Sequence, residues 1–162
     1  MSRPLNVAAS PVIYKNKFLL IRRINPPYKG LWSMVGGKIE VGEDIKDAII
    51  REVKEETSIK AKFVAIRGVV YEALHTEKGI DDHFVIWACE TRASSSRAKE
   101  NGEGEVKWFT KAELKKHEKE IIPSDFAMIN TFFLGKKQIV TLHKSTMVLK
   151  NGNYQIDYFG VQ

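Results

Sequence analysis

Gly37 to Ile59 read "GKIEVGEDIKDAIIREVKEETSI", and this stretch decides the fold. A glycine-bearing loop gives way at Asp44, a residue suited to an N-cap, to a periodic segment. The period predicts a helix from Ile45 to about Thr57. At about 100° per residue, Ile45, Ile49 and Val53 line the stripe that buries. Glu52 and Glu56 fall within the same arc, because positions 45, 49, 52 and 56 are spaced 4, 3 and 4 apart. Glu55 sits one turn beyond Arg51 and flanks that region. The stripe is apolar in its first half and anionic in its second.

An ionised glutamate on an inward face is costly unless it is paired or bound to metal. A surface helix whose acids pair with Lys46, Arg51 and Lys54 accounts for Glu55, at the i, i+4 spacing from Arg51. It does not account for two further acids on the core side. Three clustered carboxylates repel one another, and a hard divalent cation is the economical counter-charge. Mg²⁺, with Mn²⁺ as substitute, takes oxygen ligands and keeps several waters, which suits a phosphate-bearing substrate.

The same stretch resembles the signature of the Nudix hydrolases, carried here by Gly37, Glu43, Arg51, Glu52, Val53, Glu55, Glu56, Ser58 and Ile59. Eight of these nine positions agree with the family pattern; Ser58 stands where the family has glycine. That position ends the helix, where a left-handed conformation is common and costs a residue with a Cβ about 1 kcal/mol. Similarity extends to "RRINPPYKGLWSMVGG" before the stretch and "GEVKWFTKAEL" after it.

The resemblance implies an α+β fold, an α/β/α sandwich with a mixed sheet flanked by helices. It implies cleavage of a nucleoside diphosphate linked to another moiety, by water attack on phosphorus. Glu52, Glu55 and Glu56 match the family's metal-binding acids. Gly36 and Gly37 let the backbone lie close to metal or phosphate, with a carbonyl at Gly37 as a further ligand. Glu43 and Arg51 are similar to a pair that braces loop against helix, and a purely structural role stands equal beside a catalytic one. The general base is open between Glu55 and Glu56 on the helix and Glu103 and Glu105 on a later loop.

For the substrate, Arg22 and Arg23 end a strand leading to the glycine loop, so one of them is expected at a phosphate. Tyr28, Trp32 and Trp87 are candidates for stacking on a base, against the general tendency of strand aromatics to be core. "GGKIEVGE" looks like the MutT type, which acts on nucleoside triphosphates, whereas the wider run looks more like the ADP-ribose pyrophosphatase type. His75 stands where many ADP-ribose enzymes carry proline, so the substrate stays open. His75 and His83, 8 apart with no cysteine partners, are poor zinc ligands.

Around this segment, 162 residues at 43% hydrophobic content fit one domain over 1–162, with a C-terminal hairpin extension from about 136. No apolar run is long enough for a bilayer, and "MSRPLNVAAS" lacks the apolar region of a secretory signal. Cys89 is the lone cysteine, and a reducing cytoplasmic setting follows. The net charge of +6 suits an anionic partner. Many lysines, however, lie in "KAELKKHEKE" and "GKKQ", which read as solvated surface, so an RNA-binding role has charge alone behind it.

A hairpin is expected about Lys15-Asn16, and "LWSMV" as a strand ending at Gly36-Gly37. Two β-rich runs follow, joined by the polar turn "HTEKGIDD". Thr110 and Glu113 form a capping box for one helix, and Pro123 opens another that Gly135 closes. The tail reads as a hairpin turning at Asn151-Gly152. Alone such a hairpin is marginal, so a homodimer contact or a cover over the substrate entrance is expected of it. The rival from another class is a catalytically silent domain of the same family that binds a nucleotide as sensor or scaffold. Loss of Glu52, Glu55 or Glu56 would favour it, and all three are present.

Overall fold

Lys17–Arg22 (β3, KFLLIR) shows how the layers arise: Phe18 and Leu20 join one apolar cluster, Leu19 and Ile21 another. Successive side chains leave opposite faces of a strand, so a strand apolar on both faces needs cover on both. The computed structural model describes residues 3–76, 79–141, 143–150 and 153–161. Among these, seven strands form one mixed sheet: β1 (Leu5–Ser10), β2 (Ile13–Tyr14), β3, β4 (Trp32–Lys38), β5 (Ala61–Thr76), β6 (Gly79–Ala93) and β7 (Val106–Thr110). β1 runs antiparallel to β4 and parallel to β6. β3 is antiparallel to β2, β4 and β7, and β5 to β6.

One face carries α1 (Ile45–Thr57), whose Ile45, Ala48, Ile49 and Val53 pack with Leu19, Ile21 and Val35. The other carries α2 (Lys111–Lys116) and α3 (Pro123–Met128), which continues as a π turn over Ile129–Leu134. Leu114, Met128, Ile129 and Phe133 close that cluster over Phe18, Leu20 and Phe109. The architecture is the expected α/β/α sandwich. Both helix starts follow the sequence: Asp47 N–H donates to Asp44 at 2.9 Å, and Thr110 and Glu113 complete their capping box.

Two boundaries differ from expectation. The stretch His75–Asp82 is mostly ladder rather than turn, with His75 paired to Ile80 and Thr76 to Gly79. Strand pairing is made by backbone groups, so polar side chains do not by themselves signal a loop. Beyond the sheet, β8 (His143–Lys150) and β9 (Asn153–Val161) form the expected hairpin as a two-stranded sheet of their own. Its Asn151-Gly152 turn lies outside the described residues. The segment before it belongs to the body: Val140 N–H donates to the Ile66 carbonyl at 3.0 Å, and Arg67 donates to the Gln138 carbonyl at 3.1 Å. The hairpin ladder itself begins at His143.

Candidate active site

Two glycines at the end of β4 bring backbone against the acid half of α1. A Cβ on Gly37 would collide with the Glu52 carboxylate, and one on Gly36 with the backbone of Ala8. A side chain at Gly37 would displace the Glu52 carboxylate, and one at Gly36 would force β4 away from β1. The closeness lets Gly36 N–H donate to Glu56 Oε2 at 3.2 Å. Burial, with the charge of Glu52 adding to it, pushes the Glu56 carboxyl up to about 8. Burial also raises Glu52, outweighing the Arg51 guanidinium beside it. Both acids sit where ionisation is resisted.

Arg51 is the hub of this face. It forks onto Glu43, with Nε donating to Oε1 at 2.8 Å and a terminal nitrogen to Oε2 at 2.9 Å. It also donates to Glu52 at 2.6 Å, to Glu55 at 3.1 Å and to the Lys38 carbonyl at 3.1 Å. The bidentate geometry ties the loop that carries Glu43 to the helix. Hydrogen bonding from Arg51 holds Glu43 below the usual carboxylate range. Glu55 lies on the solvent side, its side chain 57% exposed against 14% for Glu52.

Ser58 ends α1 in the left-handed region at φ 58°. Its hydroxyl donates to Asn101 Oδ1 at 3.0 Å, and Asn101 Nδ2 donates to the Glu55 carbonyl at 2.6 Å. This clasp holds the loop before β7 against the helix end. Further along that loop Glu103 lines a cavity of about 80 Å³ with Glu56, Arg23 and Gly36. Glu105, expected as a catalytic acid, is elsewhere: it pairs with Arg22 at 3.7 Å, half exposed. Gly104, at φ 142° and pressed on the Arg22 carbonyl, breaks the alternation between the two acids.

The donor chemistry of the acids decides which cation they could take. Among the described residues no three ligand-type side chains converge into a ready cage. Mg²⁺ does not require one, since it binds through one or two carboxylates and fills its shell with water and phosphate. Glu52 and Glu56 offer hard oxygens, largely desolvated and beside the side-chain-free backbone of Gly36 and Gly37, with Arg51 engaging one oxygen of Glu52. The set fits Mg²⁺ or Mn²⁺.

Beside the acids opens a larger cavity of about 240 Å³, which shares Arg23, Ser33 and Gly36 with the smaller one. Arg23, anchored by its Nε on the Pro27 carbonyl at 2.8 Å, thus stands between the two. Tyr28 reaches the larger cavity, whereas Trp32 does not. Trp32 is 4% exposed and packs edge-on against Phe109 at 5.2 Å, so the stacking role expected of it is withdrawn. It lies in the cluster with Phe18, Leu20 and Phe109, while Met34, two residues on along the same face of β4, lines the cavity.

Two acids of this cavity went unread in the sequence. Glu72 lies in the middle of β5 and accepts from Tyr28 Oη at 3.1 Å. Asp125 sits in the first turn of α3 and accepts from Met34 N–H at 2.7 Å. No local pattern marks either one; the signal is an acid at an inward position of an apolar element, the same signal that marked Glu52.

A mixed sheet between helices, with buried acids facing a glycine loop and a cavity at their side, defines a class of small α/β/α domains. The model of the NUDIX domain matches residues 4–131, and the chain belongs to this family. It is 45% identical over 64 residues to an ADP-ribose pyrophosphatase of Methanocaldococcus jannaschii, covering 39% of this chain and 38% of that protein. It is 29% identical over 123 residues to a Mycobacterium tuberculosis protein named "Putative 8-oxo-dGTP diphosphatase 2", covering 74% and 81%. The match to the archaeal relative thus spans less than two fifths of that protein's length. In fold the chain is similar to a Nudix hydrolase of Nitrosomonas europaea, with a TM-score of 0.71 at 21% identity over 85% of this chain and 94% of that one.

Proposed function

We propose that the chain is a divalent-cation-dependent pyrophosphohydrolase acting on a nucleoside diphosphate linked to a further group, with ADP-ribose and nucleoside triphosphates as the two substrate types. The observation that carries this is the pair Glu52 and Glu56, inward and desolvated, Glu52 sharing Arg51 with Glu43 and Glu55, and Glu56 held by the Gly36 N–H. Mg²⁺, or Mn²⁺ in its place, would be held by these carboxylates with Gly37 alongside, and when bound it neutralises the diphosphate and activates water.

The rest is done by the chain itself. Arg51 keeps the helix acids in register with the loop through its fork on Glu43. Arg23 meets a phosphate from its station between the two cavities, and the larger cavity takes the base. Glu103, facing Glu56 across the smaller cavity, takes the proton from the attacking water, a role for which Glu55 is too far on the solvent side. No helix among the described residues is long and apolar enough to cross a membrane, in keeping with a cytoplasmic enzyme.

The test is a panel of ADP-ribose and nucleoside triphosphates incubated with Mg²⁺, with Mn²⁺ and with chelator, products read by mass spectrometry. A nucleoside monophosphate formed only with cation is expected. Tight nucleotide binding without turnover of any compound would make the chain a silent sensor instead. Removal of residues 142–162 is expected to change either the oligomeric state or the Michaelis constant; if both stay put, the hairpin has neither proposed role.

A further inference from the structure

We infer that Glu72, with Asp125 beside it, reads the edge of the substrate's base and selects one that carries an exocyclic amino group. This rests on the reading that the 240 Å³ cavity takes the base. Among the described residues, Glu72 Oε2 is the one buried side-chain oxygen or nitrogen without a hydrogen-bond partner. A buried acceptor left open is costly, and native structures rarely keep one without a use. Its partner oxygen, Oε1, is already taken by Tyr28 Oη at 3.1 Å. Oε2 therefore waits for a donor that the chain itself does not supply.

The surroundings say what kind of donor. Val7, Met34, Phe84, Ile86 and Ile122 wall the cavity, offering apolar cover to the faces of a ring. Pockets for drug-sized ligands run from about 300 Å³ upward, so this one holds a heterocycle and leaves sugar and phosphates outside. Gly36, Gly37 and Arg23 at its rim lead those phosphates toward the acids of α1. Asp125, 8% exposed and held on one oxygen by Met34 N–H, turns onto the same space.

Tyr28 is set for this arrangement by strain. Its φ of 65° is an outlier for an aromatic residue, and backbone held in such a region marks sites where position outweighs local comfort. The phenol it aims at Glu72 fixes the carboxylate's rotation and leaves Oε2 open. Burial, with the charge of Glu72 adding to it, pushes Asp125 up to about 7. Near neutrality it is therefore partly protonated and can donate to a ring nitrogen, while Glu72 accepts from the amino group. Adenine, guanine and cytosine satisfy the open acceptor. Uracil, with an oxygen at that place, sets lone pair against lone pair, and hypoxanthine offers no amino group.

Matched nucleotides test this by calorimetry with chelator present: CMP against UMP, and GMP and AMP against IMP. In at least one pair the amino-bearing member is expected to bind about 10- to 100-fold more tightly, the worth of a hydrogen bond to a charged group. Glu72→Gln should shrink that preference several-fold and Glu72→Met should abolish it, with melting temperature read alongside. If Glu72→Met fails to fold, the near-isosteric Glu72→Gln decides alone. Equal affinities within every pair, no binding of any monophosphate, or a preference unchanged by the substitutions would overturn the assignment. Selective binding without turnover would sink the hydrolase reading and spare this one; turnover indifferent to the base would do the reverse.

Discussion

Glu90 and Glu56 are both buried glutamates, and the protein treats them in opposite ways. Glu90, wholly buried on β6, takes Arg67 at 2.7 Å, Arg92 at 2.8 Å and Lys137 at 3.5 Å. Burial alone would raise its pKa, but the hydrogen bond and charge of Arg67, with Lys137 and Arg92 behind, hold it below the ordinary value. Glu56 has one backbone N–H and, among the described residues, no side-chain cation within salt-bridge range, and it is raised. A buried acid surrounded by cations is finished structure. One left without them is where we propose a ligand that brings its own positive charge.

The contrast breaks first at Glu90. Glu90→Gln leaves Arg67, 8% exposed, without its charge partner, and removing one member of a buried pair costs about 3 to 5 kcal/mol. Chemical denaturation should show that loss, while the folded fraction keeps its normal kcat. A stable Glu90→Gln protein would mean that the cluster is ornamental. Glu56→Gln should behave in the opposite way, with turnover falling about 100- to 1,000-fold, the usual effect of deleting one electrostatic contact at a reacting centre. Its melting temperature should hold or rise. Near-normal activity would remove Glu56 from the metal site.

The two acids also tilt the pH dependence of stability in opposite directions. With a folded pKa near 8 against an ordinary 4.5, Glu56 keeps a proton that the unfolded chain releases. The folded state binds more protons in that window, so cation-free protein loses stability as pH rises from about 4.5 to 8. Glu90, lowered, contributes stability that is present above its unfolded pKa and disappears as pH falls through the folded one. Melting curves at pH 5 and pH 8 in chelator should show a steeper fall for the wild type than for Glu56→Gln. Saturating Mg²⁺ or Mn²⁺ should narrow that gap, and a gap unmoved by either ion would argue against a cation at Glu56.

What the sequence could reveal follows the range of each interaction. α1 was legible to the residue, from Asp44 through Thr57, because caps and period are local. Glu52 and Glu56 stood out because they interrupt an apolar stripe within four residues of each other. Glu72 and Asp125 are separated by α2, β6 and β7, and only the fold of the sheet under α3 brings them to one cavity. Trp32 shows the same limit, since its cover comes from Phe109, far along the chain, while Glu105 lies in the loop before β7, whose course no local pattern gives. Gly104 then offsets the local count by its left-handed turn.

The smallest effect, at Ser58, separates two terms that oppose each other. Glycine there removes left-handed strain of about 1 to 2 kcal/mol, but it gives back about 0.4 to 1 kcal/mol through the looser unfolded chain. It also forfeits the exposed hydroxyl bond to Asn101, worth about 0.5 to 1 kcal/mol. Ser58→Gly should therefore lie within about 1 kcal/mol of neutral, with catalysis intact. Alanine keeps the strain and loses the same hydroxyl, so Ser58→Ala should melt below Ser58→Gly by the equivalent of about 1 kcal/mol. The alanine variant isolates the backbone contribution, because both variants lack the Asn101 bond. Equal melting temperatures for the two would show that position 58 relaxes out of the left-handed region at no cost, and the family's glycine would then need another explanation than helix-end geometry.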